Sequence, residues 1–384
     1  MNATRRQQRG RHLTVRRRRR LTVTIVAAVA LVIAVVAVTA VALIRAQGPV
    51  EPETAGTPAP ATATPTPPPL TPAQQLLAGS DDPNACAVSF AGDGITDAPQ
   101  LQSQGALYAY LPIPAREGAV FAGWYATPED AAAYTVGARV NGADVVTCAD
   151  AQTTLYGSWK TPDEVAAEDV GLPILMYHQF TTKPEGESGW LKANYAYTGD
   201  FDAHMSYLAE TGFYLPLWDE VSAFIDGRLY LPSRSAVVTD DDADSSWLEL
   251  AAPVVQAYGI PTTSFVITSA RTEPTPNMYV LQRSHTHDMH TAGDNGQGRM
   301  VNWPVADMVA DMETSAQILG AKEVMAYPFG HYDENAKEAL RQAGFEMART
   351  VEPGYVRAGT DKLAMPTIRI NYGMGLDAFI NLVG

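Results

Sequence analysis

A short apolar run at 236–238 stops at three consecutive carboxylates, Asp240, Asp241 and Asp242, followed by Ala243 and Asp244. Runs of this kind suit a buried strand. Adjacent like charges repel, and their burial is costly unless a proton or cation compensates. A strand that ends in carboxylates is therefore a candidate acid/base or metal site, weighed against a solvated acidic loop.

The surrounding pattern gives that strand a setting. Segments 171–178, 236–239, 262–268 and 323–327 are apolar and strand-like. Between and after them, 201–211, 246–258, 304–319 and 334–343 carry helical spacing, with Gly212 and Gly344 as stops. Strands alternating with helices predict an α/β fold with a parallel sheet. Chemistry in such folds gathers at the C-terminal strand ends, where His178, the three aspartates and the polar end of 327–330 all fall.

The second cluster is Arg283-Ser-His285-Thr-His287-Asp-Met-His290. A lone histidine is seldom a ligand, but three within six residues plus an acidic cluster point to a metal centre. Carboxylate with imidazole suits a hydrolytic divalent ion, zinc first, with a position left open for water. Local spacing leaves the choice among His285, His287 and His290 open.

The rest of the chain reads as a way of presenting this domain. Ten arginines and no acid fall within 1–45, so 17 basic face 42 acidic residues in the remainder, a net −25. Nine of the arginines precede an uncharged apolar stretch, 21–44, which as a helix spans roughly 36 Å, enough for a bilayer core. Arginine before the span and acid after it predict a single-pass cell-membrane protein, N-terminus inside and bulk extracellular. The stretch exceeds the usual apolar region of a cleaved signal, which favours an uncleaved anchor. Beside such a span, the basic tail (1–20) argues for membrane orientation and not for nucleic-acid binding. Residues 45–74, rich in Pro, Thr and Ala, read as an extended stalk.

Residues 75–163 read as a small β-rich domain, with strand-like segments at 106–113, 119–125, 138–148 and 153–159. It holds both cysteines, Cys86 and Cys148. In an exported domain these are expected to form a disulfide. Nothing in the sequence sets an oligomeric state.

The larger domain, 171–384, resembles the polysaccharide deacetylases of the NodB-homology type. Pro173-Ile-Leu-Met-Tyr-His178 is similar to their opening strand, and Thr239-Asp-Asp-Asp-Ala243 to their Thr-Phe-Asp-Asp-Gly motif. Ile260-Pro-Thr-Thr-Ser-Phe-Val266, Ser284-His-Thr-His-Asp-Met-His290 and Ala326-Tyr-Pro-Phe-Gly330 follow in the family's order. The resemblance implies a distorted (β/α) barrel of about seven strands, here preceded by the small β-rich domain and one transmembrane helix. It implies Asp241 as general base and Asp242 as metal ligand with two histidines. The branch similar to poly-N-acetylglucosamine deacetylases spaces those histidines by five, which selects His285 and His290 and leaves His287 a bystander. Tyr327, Pro328, His178 and Arg369 would line the substrate groove, with an N-acetylated polysaccharide as partner.

Two positions depart from the motif: Asp240 stands where the family has phenylalanine, and Ala243 where it has glycine. A third carboxylate should raise one pKa or recruit another cation. An added Cβ is strained where φ is positive. Many members also place an arginine where Ala326 stands, and no late Leu-x-His motif is present. These departures sustain a second reading, a catalytically degenerate glycan-binding member. In 75–163, Phe121-Ala-Gly-Trp-Tyr125 and Thr153-Thr-Leu-Tyr-Gly-Ser-Trp159 resemble the internalin B-type repeat of bacterial surface proteins. That implies a wall-exposed module, and with it a third reading as a structural cell-wall protein.

Overall fold

The computed structural model describes residues 68–384 except Pro276. The expected membrane span at 21–44, the basic tail and most of the stalk lie outside the described residues. Among the described residues, no helix is long and apolar enough to cross a membrane.

The described chain begins with a helix, Pro72–Ala78, so the expected stalk loses its last three residues. Thr71 accepts from the Gln74 amide while the Gln74 side chain reaches back to the Thr71 N–H, a capping box with Pro72 at the first turn. A five-stranded sheet follows, built from β1 (Ala85–Ala91), β2 (Gln100–Ser103), β3 (Val120–Tyr125), β4 (Arg139–Val140) and β5 (Gln152–Lys160) in the order β2-β1-β5-β3-β4. Cys86 and Cys148 form the expected disulfide, closing 62 residues of chain.

Two strand expectations in this region fail. Segment 106–113 is irregular, touching 145 through one isolated bridge, Leu107 to Val145. Pro112 has no N–H to give a ladder, and the Pro112 carbonyl accepts from the Trp124 indole. Segment 138–148 is a strand only at Arg139–Val140. It breaks at Asn141, whose N–H donates to Asp144 and whose side-chain oxygen accepts from Ala143, a polar turn that outcompetes the sheet.

The second sheet closes on itself. Its strands are β6 (Ile174–Tyr177), β9 (Val237–Asp242), β10 (Thr262–Val266), β11 (Val280–Ser284), β12 (Val324–Ala326), β13 (Met347–Pro353) and β14 (Met365–Arg369). Among the described residues these seven run parallel around a closed barrel, β14 returning to β6. A short pair, β7 (Gln179–Thr181) with β8 (Tyr195–Tyr197), sits beside it. Strands β11, β13 and β14 are missed by pattern because Gln282, Arg283, Arg349 and Pro366 interrupt their apolar runs.

Alternation along each strand sends one set of side chains inward and the other toward the helices. Ile174, Val237, Phe265, Val324, Met347 and Met365 fill one core. Leu175, Tyr177, Val238 and Val266 pack instead with helix residues such as Phe201, Met205, Trp247 and Phe379. The first of these cores is continuous with the five-stranded sheet through Phe121, Trp124 and Leu155. Backbone bonds reinforce that join: Phe121 donates to Arg228 at 3.1 Å and Tyr230 donates back to Phe121 at 2.8 Å. The sheet therefore shares its core with the barrel instead of hanging from it.

Candidate metal centre

β9 lies between β6 and β10, with Asp240 opposite Tyr177 and Ser264. Because the strand runs on through Asp242, successive carboxylates point to opposite faces. Asp241 shares the inward parity of Val237, and Asp240 shares the helix-facing parity of Val238. Asp242 closes the strand with φ +73° and Ala243 follows at +51°. This left-handed turn is held by Arg271, which donates to the Ala243 carbonyl at 3.1 Å, and by Asp244, which caps Ser246 and Trp247.

At the barrel's C-terminal end, three side chains converge. Asp242 Oδ1 lies 3.5 Å from His285 Nε2 and 3.3 Å from His290 Nε2. One ligand atom from each of the three falls within 4.8 Å of the others. Asp242 Oδ1 is buried with no hydrogen-bond partner. His285 Nδ1–H donates to the Ala326 carbonyl at 2.9 Å, which leaves the Nε2 lone pair facing Asp242. Burial, with His285 adding to it, pulls His290 down to about 4, so its ring is neutral and able to ligate near pH 7. The donor set of one carboxylate and two imidazoles fits a divalent metal with open positions.

The loop itself makes the histidine choice. Thr286 takes φ +70°, and the amides of His287 and Asp288 donate to the two Asp311 oxygens at 2.8 and 2.7 Å. That rotation buries Met289, the fourth residue after His285, in the core with Met300, Met308 and Met312. It turns His290 to the cleft. His287 pairs with Thr268 at 3.1 Å and stands outside the triad, as expected.

Asp241 is held by a residue that the sequence reading missed. Arg349 on β13 is fully buried and donates to Asp241 Oδ1. It is the ladder partner of Ala326, so the guanidinium comes from the strand next to the one that ends at Tyr327. Burial pushes the Asp241 carboxyl up, but Arg349, His178 and His285 outweigh it and leave it at about 2. His178 Nε2 stands 3.7 Å from Asp241 Oδ2. Burial lowers the His178 pKa against the pull of Asp241 and Asp242, favouring a neutral ring. An arginine directly after Met347 and Ala348 was the available signal for Arg349, since a buried charge needs a partner.

Asp240 behaves as the repulsion argument expects. It is fully buried, neither oxygen has a hydrogen-bond partner, and burial plus its three acidic neighbours push its pKa well up. That direction favours the neutral acid, on the face opposite to Asp241. Ala243 is accommodated at a price: its left-handed φ costs an L-residue about 1–2 kcal/mol. Ala243→Gly is accordingly expected to stabilise the fold by about 0.5–1 kcal/mol after the glycine's greater unfolded-state entropy is counted. Urea unfolding would read this, and a loss of stability would show the turn is not strained.

The groove residues divide. A cleft of about 370 Å³ over the triad is lined by His178, Gln179, Trp190, Asn194, Phe329 and Arg369, among others. Arg369 donates to Asn194 at 2.5 Å across one wall. Tyr327 lines the cleft, its phenol donating to the Leu363 carbonyl and its amide to the Arg349 carbonyl. Pro328 is buried and is not among the cleft-lining residues. The left-handed φ of Phe329 (+59°) swings that ring outward in its stead, 4.2 Å from His290 centroid to centroid. Trp190, unremarked in the sequence, is 90% exposed on the opposite rim.

Residues 230–348, which carry both the aspartate turn and the histidine loop, match the family model described as polysaccharide deacetylase. The chain carries a polysaccharide deacetylase domain. Poly-beta-1,6-N-acetyl-D-glucosamine N-deacetylase of Staphylococcus aureus (strain MRSA252) is 25% identical over 173 residues, 40% of this chain and 58% of that protein. The Bacillus subtilis protein YxkH is 23% identical over 219 residues, 54% of this chain and 74% of that protein. The chain thus spans little more than half of the staphylococcal relative's length. Among solved structures, IcaB from Ammonifex degensii shares 22% identity with a TM-score of 0.46, covering 56% of this deacetylase-domain chain and 96% of that one.

Proposed function

We propose that the protein is a membrane-anchored, extracellular, metal-dependent hydrolase that removes N-acetyl groups from a poly-N-acetylglucosamine-type polysaccharide. The observation that carries this reading is the convergence of Asp242, His285 and His290 beside an Arg349-held Asp241 in an open cleft. The staphylococcal relative's activity supports the glycan, and the arginine-flanked apolar stretch at 21–44 supports the anchor.

Asp242, His285 and His290 would hold the ion, with zinc preferred for this donor set. A divalent metal there supplies Lewis acidity, polarising the acetamide carbonyl and making water more acidic. The chain's own residues do the rest. Asp241, ionised at neutral pH, accepts a proton from the attacking water. His178, 3.7 Å from Asp241 and favoured as the neutral ring, would pass a proton between Asp241 and the departing nitrogen. Trp190 and Phe329 offer apolar ring faces to the sugar on two sides of the cleft. The C–N bond breaks, leaving acetate and a free amine on the polymer.

The test is acetate release from β-1,6-linked N-acetylglucosamine oligomers, with metal content measured on the same sample. Chelation should abolish release and zinc should restore it. If the purified chain holds no metal and releases no acetate, the reading is wrong.

A further inference from the structure

A second cavity, of about 350 Å³, lies at the opposite end of the barrel from the triad. It opens where the N-terminal ends of β12 and β13, marked by Glu323 and Glu346, meet the five-stranded sheet. Its volume falls in the range of about 300–1,000 Å³ usual for small-molecule sites.

The two walls differ in chemistry. The sheet side contributes aromatic surface, including Trp124 and Tyr110, and Tyr110 is 54% exposed although Tyr108 and Leu111 on either side are buried. The barrel side contributes the carboxylates of Asp219, Glu220, Glu323 and Glu346. Arg283 is the lining cation among the described residues, and it is already bound to Glu323. Glu346 pairs with Lys362 at 3.1 Å, but Asp219 has no ion-pair partner among the described residues. Although Asp219 is an exposed residue, partial desolvation of its carboxyl pushes its pKa up, and Glu323 and Glu346 repel it further. Burial likewise raises Glu220 to about 7 against the pull of Arg139. Glu323, Glu220 and Glu346 already face Arg283, Arg139 and Lys362, so Asp219 is the lining carboxylate left without a counter-charge among the described residues, and it favours a cationic occupant over a neutral or anionic one.

We infer that this cavity binds a glucosamine unit of the deacetylated polysaccharide, its ammonium group against Asp219 and Glu346 and its ring against Tyr110. The inference rests on the deacetylase reading for the identity of its ligand. The product amine is the one polymer group that the reaction makes cationic. A site far from the triad that holds product and not substrate would keep a partly deacetylated chain attached while the cleft works on its remaining acetyl groups.

The experiment is calorimetric titration of the full chain with a β-1,6-linked glucosamine oligomer and, separately, with its N-acetylated counterpart. Tyr110→Ala and Asp219→Asn, both at exposed positions, are compared with His285→Ala, and thermal unfolding of each variant checks folding. Glucosamine-oligomer binding should weaken about tenfold or more in Tyr110→Ala and Asp219→Asn and persist in His285→Ala. Binding that is unchanged in both cavity variants, or lost only in His285→Ala, overturns the inference. Should a cavity variant unfold, high salt on the wild type decides: binding indifferent to salt contradicts an ammonium–carboxylate contact. Acetate release is scored separately. A chain that binds the glucosamine oligomer through Tyr110 without releasing acetate refutes only the enzymatic reading. Acetate release without cavity binding refutes only this one.

Discussion

His285→Ala is expected to purify without stoichiometric divalent metal and to release acetate about a thousandfold more slowly than the wild type. His285 is 2% exposed and donates its Nδ1 proton to the Ala326 carbonyl, so its Nε2 is fixed toward Asp242 before any ion arrives. Truncation removes one of three ligands and that preset orientation together. His287→Ala, two residues away but turned to Thr268, should keep its metal and its rate. Elemental analysis and acetate assay on the pair would decide the matter. If His287→Ala loses metal and His285→Ala does not, the ligand assignment is wrong.

Arg349→Met is the second large effect, on stability and on pH dependence. The guanidinium is wholly buried inside the barrel, donating to Asp241, to the Thr350 carbonyl and to the Met176 sulfur. Methionine fills comparable space and leaves Asp241 buried without its counter-charge, at a cost of about 3–5 kcal/mol. The sign follows from the shift. In the wild type, Asp241 lies at about 2, below its ordinary value, so its stabilising contribution is present above about 4 and lost as pH falls through 2. Without Arg349, burial pushes the carboxyl up, and an ionised Asp241 then destabilises the fold near neutral pH. Residual activity should show an acid limb moved to higher pH. Arg349→Met with Asp241→Asn should recover much of the lost stability, because no unpaired charge remains. A single variant as stable as wild type would show that the pair contributes little.

Much of this site was legible before the fold was known. Strand 236–239 ended at its carboxylates because the apolar run stops there, and the observed strand Val237–Asp242 carries them at the barrel's C-terminal rim. His285 and His290 were nominated by family spacing, and they meet Asp242. The alternation of strand and helix predicted a parallel α/β sheet, and the sheet closes with seven strands. The strands that escaped notice, β11, β13 and β14, carry polar or proline residues where a pattern search wants apolar ones. Arg349 is the telling case. In sequence it interrupts a strand, whereas in the fold it is the counter-charge that makes a buried Asp241 tenable.

The sequence by itself determined the alternation of strand and helix, the acidic end of β9, the histidine cluster and the disulfide partners, because these depend on local periodicity and residue type. Only the tertiary structure decided which groups act together. Barrel closure brings β9, β11 and β13 to a common rim, so Asp242 meets two histidines more than forty residues away and Asp241 meets Arg349. The turn at Thr286 sends Met289 to the core and His290 to the cleft, and parity along β9 sends Asp240 away from Asp241. Three adjacent aspartates thus come to differ in partner and surroundings, with the Asp240 pKa raised and that of Asp241 lowered. Burial and counter-charge are properties of the packed neighbourhood, and the linear spacing of the aspartates does not contain them.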